Sequence, residues 1–205
     1  MRFSFTKKQG PVVLTSARVA LGPLMIAGAR CNWNGLTLAA MALAALLSDI
    51  YDGVLARRWH RDTAAARLYD SMADQVFYVC TGVAIWMDRR EVLTNNGWLL
   101  MALLGAEVLR YVVDFVKYGK PASYHSYLAK TWGLVMASAV IVTFATERGA
   151  TLMAISLALG FVCNLETLAM SVMLPVWKRD VPTLRAAWKL RSLVYCGLER
   201  NDSCA

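Results

Sequence analysis

The sequence predicts an all-α, polytopic membrane protein with six transmembrane helices. Three observations lead there. Hydrophobic residues make up 58% of the 205, whereas a soluble domain stays near half. The excess is gathered into six blocks, each close to the ~20 residues that cross a bilayer core. Basic residues crowd into alternate connections between those blocks, the asymmetry that membrane insertion leaves behind.

The first block, 11–29, follows Arg2, Lys7 and Lys8 and is interrupted by Arg18. That interruption, with no small-residue cleavage site after it, speaks against a signal peptide. The second, 34–56, is apolar from Leu36 to Leu47 and turns polar at Ser48. The third, 68–87, runs from Leu68 past Val76, Phe77 and Val79 to Trp86. The fourth, 97–117, carries Glu107 and Arg110 inside an otherwise apolar stretch. The fifth and sixth, 128–146 and 150–174, are the cleanest, Gly133 to Phe144 and Leu152 to Leu174. Asn95-Asn96-Gly97 and Gly119-Lys120-Pro121 break the chain between blocks.

Loop charge orients these spans. Arg57, Arg58, Arg61 and Arg67 lie between blocks two and three, Lys117 and Lys120 between four and five, and Lys178, Arg179, Arg185, Lys189, Arg191 and Arg200 after six. The other connections hold only Arg30, then Arg89 and Arg90, then Arg148. The positive-inside rule therefore puts both termini in the cytoplasm, which requires an even number of spans. Residues 1–10 are expected to lie along the membrane surface, 11–175 to form the six-helix domain, and 176–205 to form a cytoplasmic basic tail. In that tail Trp177, Leu184, Trp188 and Leu193 mix with arginine and lysine after Pro182. This is the composition of a surface-lying amphipathic helix; a disordered basic tail is the alternative. The net charge of +8 fits anionic headgroups rather than nucleic acid. Cys31, Cys80, Cys163, Cys196 and Cys204 are scattered with no CxxC pair, so they read as small packing residues, not as a disulfide or zinc framework.

The chemically informative stretch is Asp49-Ile-Tyr-Asp52-Gly53-Val-Leu-Ala56-Arg57, followed by Asp70-Ser-Met-Ala-Asp74. Aspartates three and four residues apart share one helix face. The two pairs sit at the same end of consecutive antiparallel helices, so a hairpin brings four carboxylates together. Unpaired carboxylates in a membrane helix cost several kcal/mol each, and like charges add to that. A cation must compensate, and an oxygen-only donor set suits Mg²⁺, Mn²⁺ or Ca²⁺ rather than zinc. A metal pair on carboxylates suits phosphoryl chemistry, because it stabilises both attacking and leaving oxygens. Gly53 permits close approach of a ligand, although small residues also mark helix interfaces. Arg57, one turn on, can fork onto a phosphate, although positive-inside anchoring would also place it there. Solvated helix ends are the bland reading of the aspartates.

At these residues the sequence resembles the CDP-alcohol phosphotransferase family, whose motif reads D-x2-D-G-x2-A-R-x8-G-x3-D-x3-D. Seven of the eight fixed positions match over 26 residues. The departure is Ala66, where the family usually has glycine close to the nucleotide, so its methyl tightens or shifts that pocket. The resemblance implies two Mg²⁺ (or Mn²⁺) ions per protomer on Asp49, Asp52, Asp70 and Asp74. It implies a CDP moiety bordered by Asp52, Gly53, Ala56 and Arg57, with Ala66 as a further contact. Asp74 would be the general base that takes the acceptor hydroxyl proton. The hydroxyl would then attack the lipid-side phosphorus of CDP-diacylglycerol, and CMP would leave. Family members are typically homodimers, here expected in a bacterial-type inner membrane.

Leu14-Thr15-Ser16-Ala17-Arg18, with Pro23 beyond it, is similar to the first span of phosphatidylglycerophosphate synthases. That points to glycerol 3-phosphate as acceptor, with Arg110 and Lys130, then Arg18 and Arg67, as residues for its phosphate. Inositol phosphate, serine or phosphatidylglycerol are alternative acceptors. Arg110 could equally pair with Glu107 or Asp114 at helical spacing, and Lys130 could snorkel to the interface. His60 and His125 read as solvated loop residues. A reading of another class, a cation transporter with intramembrane aspartates, explains the carboxylates but leaves Gly53 and Arg57 without a role.

Overall fold

The computed structural model describes residues 10–58, 64–146 and 148–192, and their side chains except those of residues 10–12, 55–57 and 64–68. The described residues are helical apart from their connections and one isolated bridge between Ser123 and Arg179. Six long helices coincide with the six apolar blocks: α1 (Gly10–Arg30), α2 (Gly35–Arg58), α3 (Ala64–Asp88), α5 (Gly97–Tyr118), α6 (Tyr127–Ala145) and α7 (Gly149–Met173). A five-residue helix, α4 (Arg90–Thr94), fills the connection before Asn95-Asn96-Gly97; the sequence reading had no element there. Residues 184–192 form a further helix. The expected surface segment 1–10, apart from Gly10, and the tail from residue 193 lie outside the described residues, as do His60 and the side chains of Ala56, Arg57, Ala66 and Arg67.

Turn chemistry explains the boundaries. Gly119 adopts φ 69° and its N–H bonds to the Phe115 carbonyl at 2.9 Å, a left-handed C-cap that favours glycine. Ser126 caps α6, its Oγ accepting the Ala129 N–H at 3.2 Å. Between α1 and α2 the Asn34 side chain accepts the Leu36 N–H at 3.0 Å.

Three helices, α2 over Gly35–Val54, α6 and α7, are long and apolar enough to cross a membrane by composition alone. The other three long helices carry more charge, and two of them wear it on the inside. On α5, Asp114 is buried and Arg110 and Glu107 are half-buried, while Trp98, Met101, Val108 and Val116 are exposed. On α1, Thr15 and Arg18 are buried while Val13 and Leu24 are exposed. This inverts the pattern of a water-soluble helix and is what a lipid solvent selects.

The chain divides into two compact units, Met1–Asn95 with Ala137–Met153, and Asn96–Met136 with Ala154–Ala205. In the first, α1 packs against both α2 and α3. Its core is rich in small residues, with Ala29, Ala39, Ala42, Ala45, Ala73 and Ala84 buried, so backbones approach closely. A Cβ on Gly22 would come within 3.1 Å of Cys80 Cβ. Cys163, in the second unit, is buried as expected, but Cys31 is exposed, because it sits in the turn after α1 rather than in a helix interface. In the second unit Tyr124, Met170, Leu174, Val181 and Ala187 form an apolar cluster that seats the helix at 184–192. That helix turns Leu184 and Trp188 outward beside Arg185, Lys189 and Arg191.

Gly160 tests this packing. A Cβ there would meet the Trp132 indole at 2.6 Å, and a ring wedged between helices cannot swing away as a flexible side-chain end would. Gly160→Ala is expected to destabilise the protein by about 1–3 kcal/mol, measured as a lower unfolding temperature in detergent. An unchanged temperature would contradict the contact.

Candidate active site

All four motif aspartates converge, and what they converge on is Arg18. Its Nη1 lies 3.0 Å from Asp49 Oδ1 and 3.0 Å from Asp70 Oδ1. The same nitrogen pairs with Asp74 Oδ1, while Nη2 lies 2.5 Å from Asp52 Oδ2. Three helices build this arrangement: α2 supplies Asp49 and Asp52 from one face, α3 supplies Asp70 and Asp74 from one face, and α1 inserts the arginine. Thr15, one turn before Arg18, donates to Asp52 Oδ2 at 3.2 Å. Beside the cluster, Ser16 Oγ and Tyr69 OH lie 2.9 Å apart and tie α1 to α3.

Arg18 is only 1% exposed and Asp52 5%; the other three aspartates are half-buried. With all groups ionised, four carboxylates and one guanidinium leave three net negative charges. Burial makes that imbalance costly, so the cluster demands further positive charge.

Carboxylate oxygens of Asp49, Asp70 and Asp74 all lie within 4.8 Å of one another. Two ligands on opposite sides of Mg²⁺ are about 4.2 Å apart, twice a bond length of about 2.1 Å. Adjacent ligands are nearer, about 3 Å apart, so the oxygen-only trio has the donor chemistry of a small hard cation and would draw closer together to hold one. Arg18, Asp49 and Asp74 also line a cavity whose remaining wall, including Ala42, Phe77 and Val140, is apolar apart from Tyr78.

Gly53 projects into open space: nothing among the described atoms lies within 4 Å of where its Cβ would be. Gly22 and Gly28, by contrast, are filled by Cys80 and by Trp33 and Leu38. Helix packing accounts for those two, and no described atom fills that part at Gly53.

Residues 9–176 match the family model described as CDP-alcohol phosphatidyltransferase. The chain belongs to the CDP-alcohol phosphatidyltransferase family. Among curated relatives it is similar to a cardiolipin synthase (CMP-forming) of Streptomyces coelicolor, 32% identical over 131 residues, 58% of this chain and 57% of that one. A cardiolipin synthase (CMP-forming) of Oryza sativa subsp. japonica is 31% identical over 106 residues, 48% of this chain and 32% of that one. A chloroplastic/mitochondrial CDP-diacylglycerol–glycerol-3-phosphate 3-phosphatidyltransferase of Arabidopsis thaliana is 30% identical over the same number of residues, 48% of this chain and 36% of that one. The chain thus spans between about a third and just over half the length of these relatives. No solved structure matches it significantly.

The other residues singled out from the sequence fall into two groups. The side chains of Ala56, Arg57, Ala66 and Arg67 lie outside the described residues. Arg110 and Lys130 belong to the second unit. There Arg110 Nη1 lies 3.6 Å from Asp114 Oδ2, Nη2 lies 3.9 Å from Glu107, and Nε donates to Asn164 Oδ1 at 3.0 Å. Its pairing with Glu107 and Asp114 follows the helical spacing. Lys130 is exposed, its ammonium 5.5 Å from the Tyr127 ring centre. His125 is exposed and bonded to Ser123 Oγ at 3.0 Å. Asp114 is fully engaged: Ser171 donates to Oδ1 at 2.5 Å and the Ala122 N–H to Oδ2 at 3.0 Å. Tyr124 OH lies 3.2 Å from Ser171 Oγ, and burial raises its phenol above the ordinary tyrosine range, so it stays a neutral partner.

Arg18 is the residue whose surroundings the sequence did not foretell. It was grouped with acceptor-binding cations, whereas its guanidinium sits among the motif carboxylates. The signal was present, because a lone charge interrupting an apolar span is functional by default.

The two classes of glycine make a test. Gly53→Ala meets no steric obstacle and is expected to leave the unfolding temperature unchanged or to raise stability by about 0.5–1 kcal/mol, since alanine favours the helix. A marked loss of stability would mean that Gly53 is a packing residue after all.

Proposed function

We propose that this chain is a membrane-embedded, phospholipid-synthesising transferase that moves a phosphatidyl group from CDP-diacylglycerol to an alcohol and releases CMP. Glycerol 3-phosphate is the favoured acceptor. The observation that carries this reading is the convergence of all four motif aspartates on one buried, net-negative cluster within a chain of this family.

Asp49, Asp52, Asp70 and Asp74 would hold two Mg²⁺ or Mn²⁺ ions. When bound, such ions neutralise phosphate oxygens and the leaving group. Two divalent ions would carry the cluster from three negative charges to one positive, the sign that a diphosphate requires. Gly53 leaves its helix face bare for the nucleotide, with Asp52, Ala56, Arg57 and Ala66 as its further borders. Asp74 accepts the proton of the acceptor hydroxyl. The hydroxyl oxygen then bonds to the phosphorus on the diacylglycerol side, the bond from that phosphorus to the CMP oxygen breaks, and CMP departs with the electron pair. Arg110, Lys130 and Arg67 are candidate partners for an acceptor phosphate.

Six spans with both termini cytoplasmic belong to this reading; they would put the aspartates at the cytoplasmic end of α2 and α3, where nucleotide and acceptor are found. The inverted burial on α1 and α5 supports counting those helices as spans. The basic, tryptophan-bearing face of residues 184–192 suits a place at the cytoplasmic lipid surface. A homodimer is the expected assembly.

A second acceptor reading comes from the two relatives named cardiolipin synthase (CMP-forming): the acceptor would then be phosphatidylglycerol. CMP release from CDP-diacylglycerol by purified protein, measured with each acceptor in turn, separates them. Glycerol 3-phosphate is expected to support turnover. Turnover with phosphatidylglycerol alone would transfer the assignment, and no CMP with any alcohol would refute the enzyme reading. Asp74→Asn is expected to lower turnover by at least about 100-fold while the protein still inserts and stays folded. Excess chelator should abolish CMP release, and activity that persists in it would remove the metal from the reaction. Lys130→Ala or Arg110→Ala should raise KM for glycerol 3-phosphate; an unchanged KM in both would leave the phosphorylated acceptor unsupported.

A further inference from the structure

Arg18 enters the cluster from outside the motif, and its contacts are specific. Nη1 reaches Asp49 Oδ1, Asp70 Oδ1 and Asp74 Oδ1. Those are the three residues whose oxygens gather closely enough to ligate one ion. A guanidinium nitrogen and a cation held by that trio therefore draw on the same three carboxylates. Nε of Arg18 is buried without a hydrogen-bond partner among the described residues. The guanidinium is thus tethered through its two Nη atoms, and no described residue fixes its Nε edge when those contacts are exchanged.

We infer that Arg18 is a positioning residue that competes with divalent ions for Asp49, Asp70 and Asp74 and thereby sets how tightly the site holds metal. This rests on the metal-site reading above. In this role the guanidinium balances part of the acidic charge and yields oxygens to the incoming ion. Metal affinity is then held below what four aspartates alone would give. The magnitude is ample: two unit charges about 4 Å apart at a protein-like dielectric interact strongly enough to change an equilibrium well beyond tenfold. A lysine would keep the charge but lose the planar fork that serves several carboxylates at once, so it should compete less well.

The test is a Mn²⁺ titration of the purified full chain in phosphatidylcholine nanodiscs, followed by electron paramagnetic resonance, with unfolding temperatures taken in chelator and in Mn²⁺. Wild type is expected to bind Mn²⁺. Arg18→Gln should bind it at least about tenfold more tightly, melt lower than wild type in chelator, and gain more from added Mn²⁺. Arg18→Lys should fall between the two. A purely structural arginine would give weaker or unchanged binding on removal, so tighter binding is the distinguishing sign. Equal or weaker Mn²⁺ binding by Arg18→Gln, with wild type binding normally, overturns the competition while leaving the metal site intact. Wild type taking up no Mn²⁺ overturns both. Recovery of folded Arg18→Gln only in Mn²⁺ supports the inference, and failure to fold with or without the ion overturns it.

Discussion

Charge balance in a low-dielectric setting is the constraint from which the site follows. Four carboxylates on two helices cannot approach one another in or near lipid without a counter-charge. The chain brings one of its own in Arg18, which is almost wholly buried and paired with all four. One guanidinium offsets one quarter of the formal charge. What remains is a cluster that folding alone leaves acidic, and that is the property a cation-dependent phosphate chemistry needs.

The second unit shows what a finished buried acid looks like. Asp114 is fully buried, yet Ser171, the Ala122 amide and Arg110 meet it from three directions. The same region closes the end of α7: Lys117 Nζ donates to the Ser171 and Val172 carbonyls at 2.8 Å, and Tyr118 OH lies 2.8 Å from the Ser171 and Leu174 carbonyls. Helix-end carbonyls that water would otherwise serve are satisfied by side chains. Saturated networks of this kind hold helices in register. The contrast is with Asp49, Asp70 and Asp74, which share a single nitrogen and which the proposed function assigns to chemistry.

Much of this was legible in the sequence, because the relevant signals are local. Block length and breakers located the six long helices, and Asp49/Asp52 and Asp70/Asp74 announced their shared faces by spacing alone. What was not legible depended on contacts between distant segments. Arg18 lies more than thirty residues before the motif, and nothing in its spacing says which helix face it will meet. The short helix α4 was missed because five residues carry no period.

Gly53 shows how one side chain's absence gains meaning only from its surroundings. The sequence left two readings open, close helix packing or close approach of a ligand, and both are served by the same missing Cβ. Gly22 and Gly28 are backed by neighbouring side chains at van der Waals distance or closer, so their role is to let helices meet. Gly53 has no such neighbour among the described atoms, although it is a direct chain neighbour of Asp52, one of the four clustered acids. A helix gains stability from alanine at such a position, so glycine there costs the fold something that packing does not return. In the proposed reading that cost is offset where a CDP headgroup would lie against bare backbone beside the aspartates.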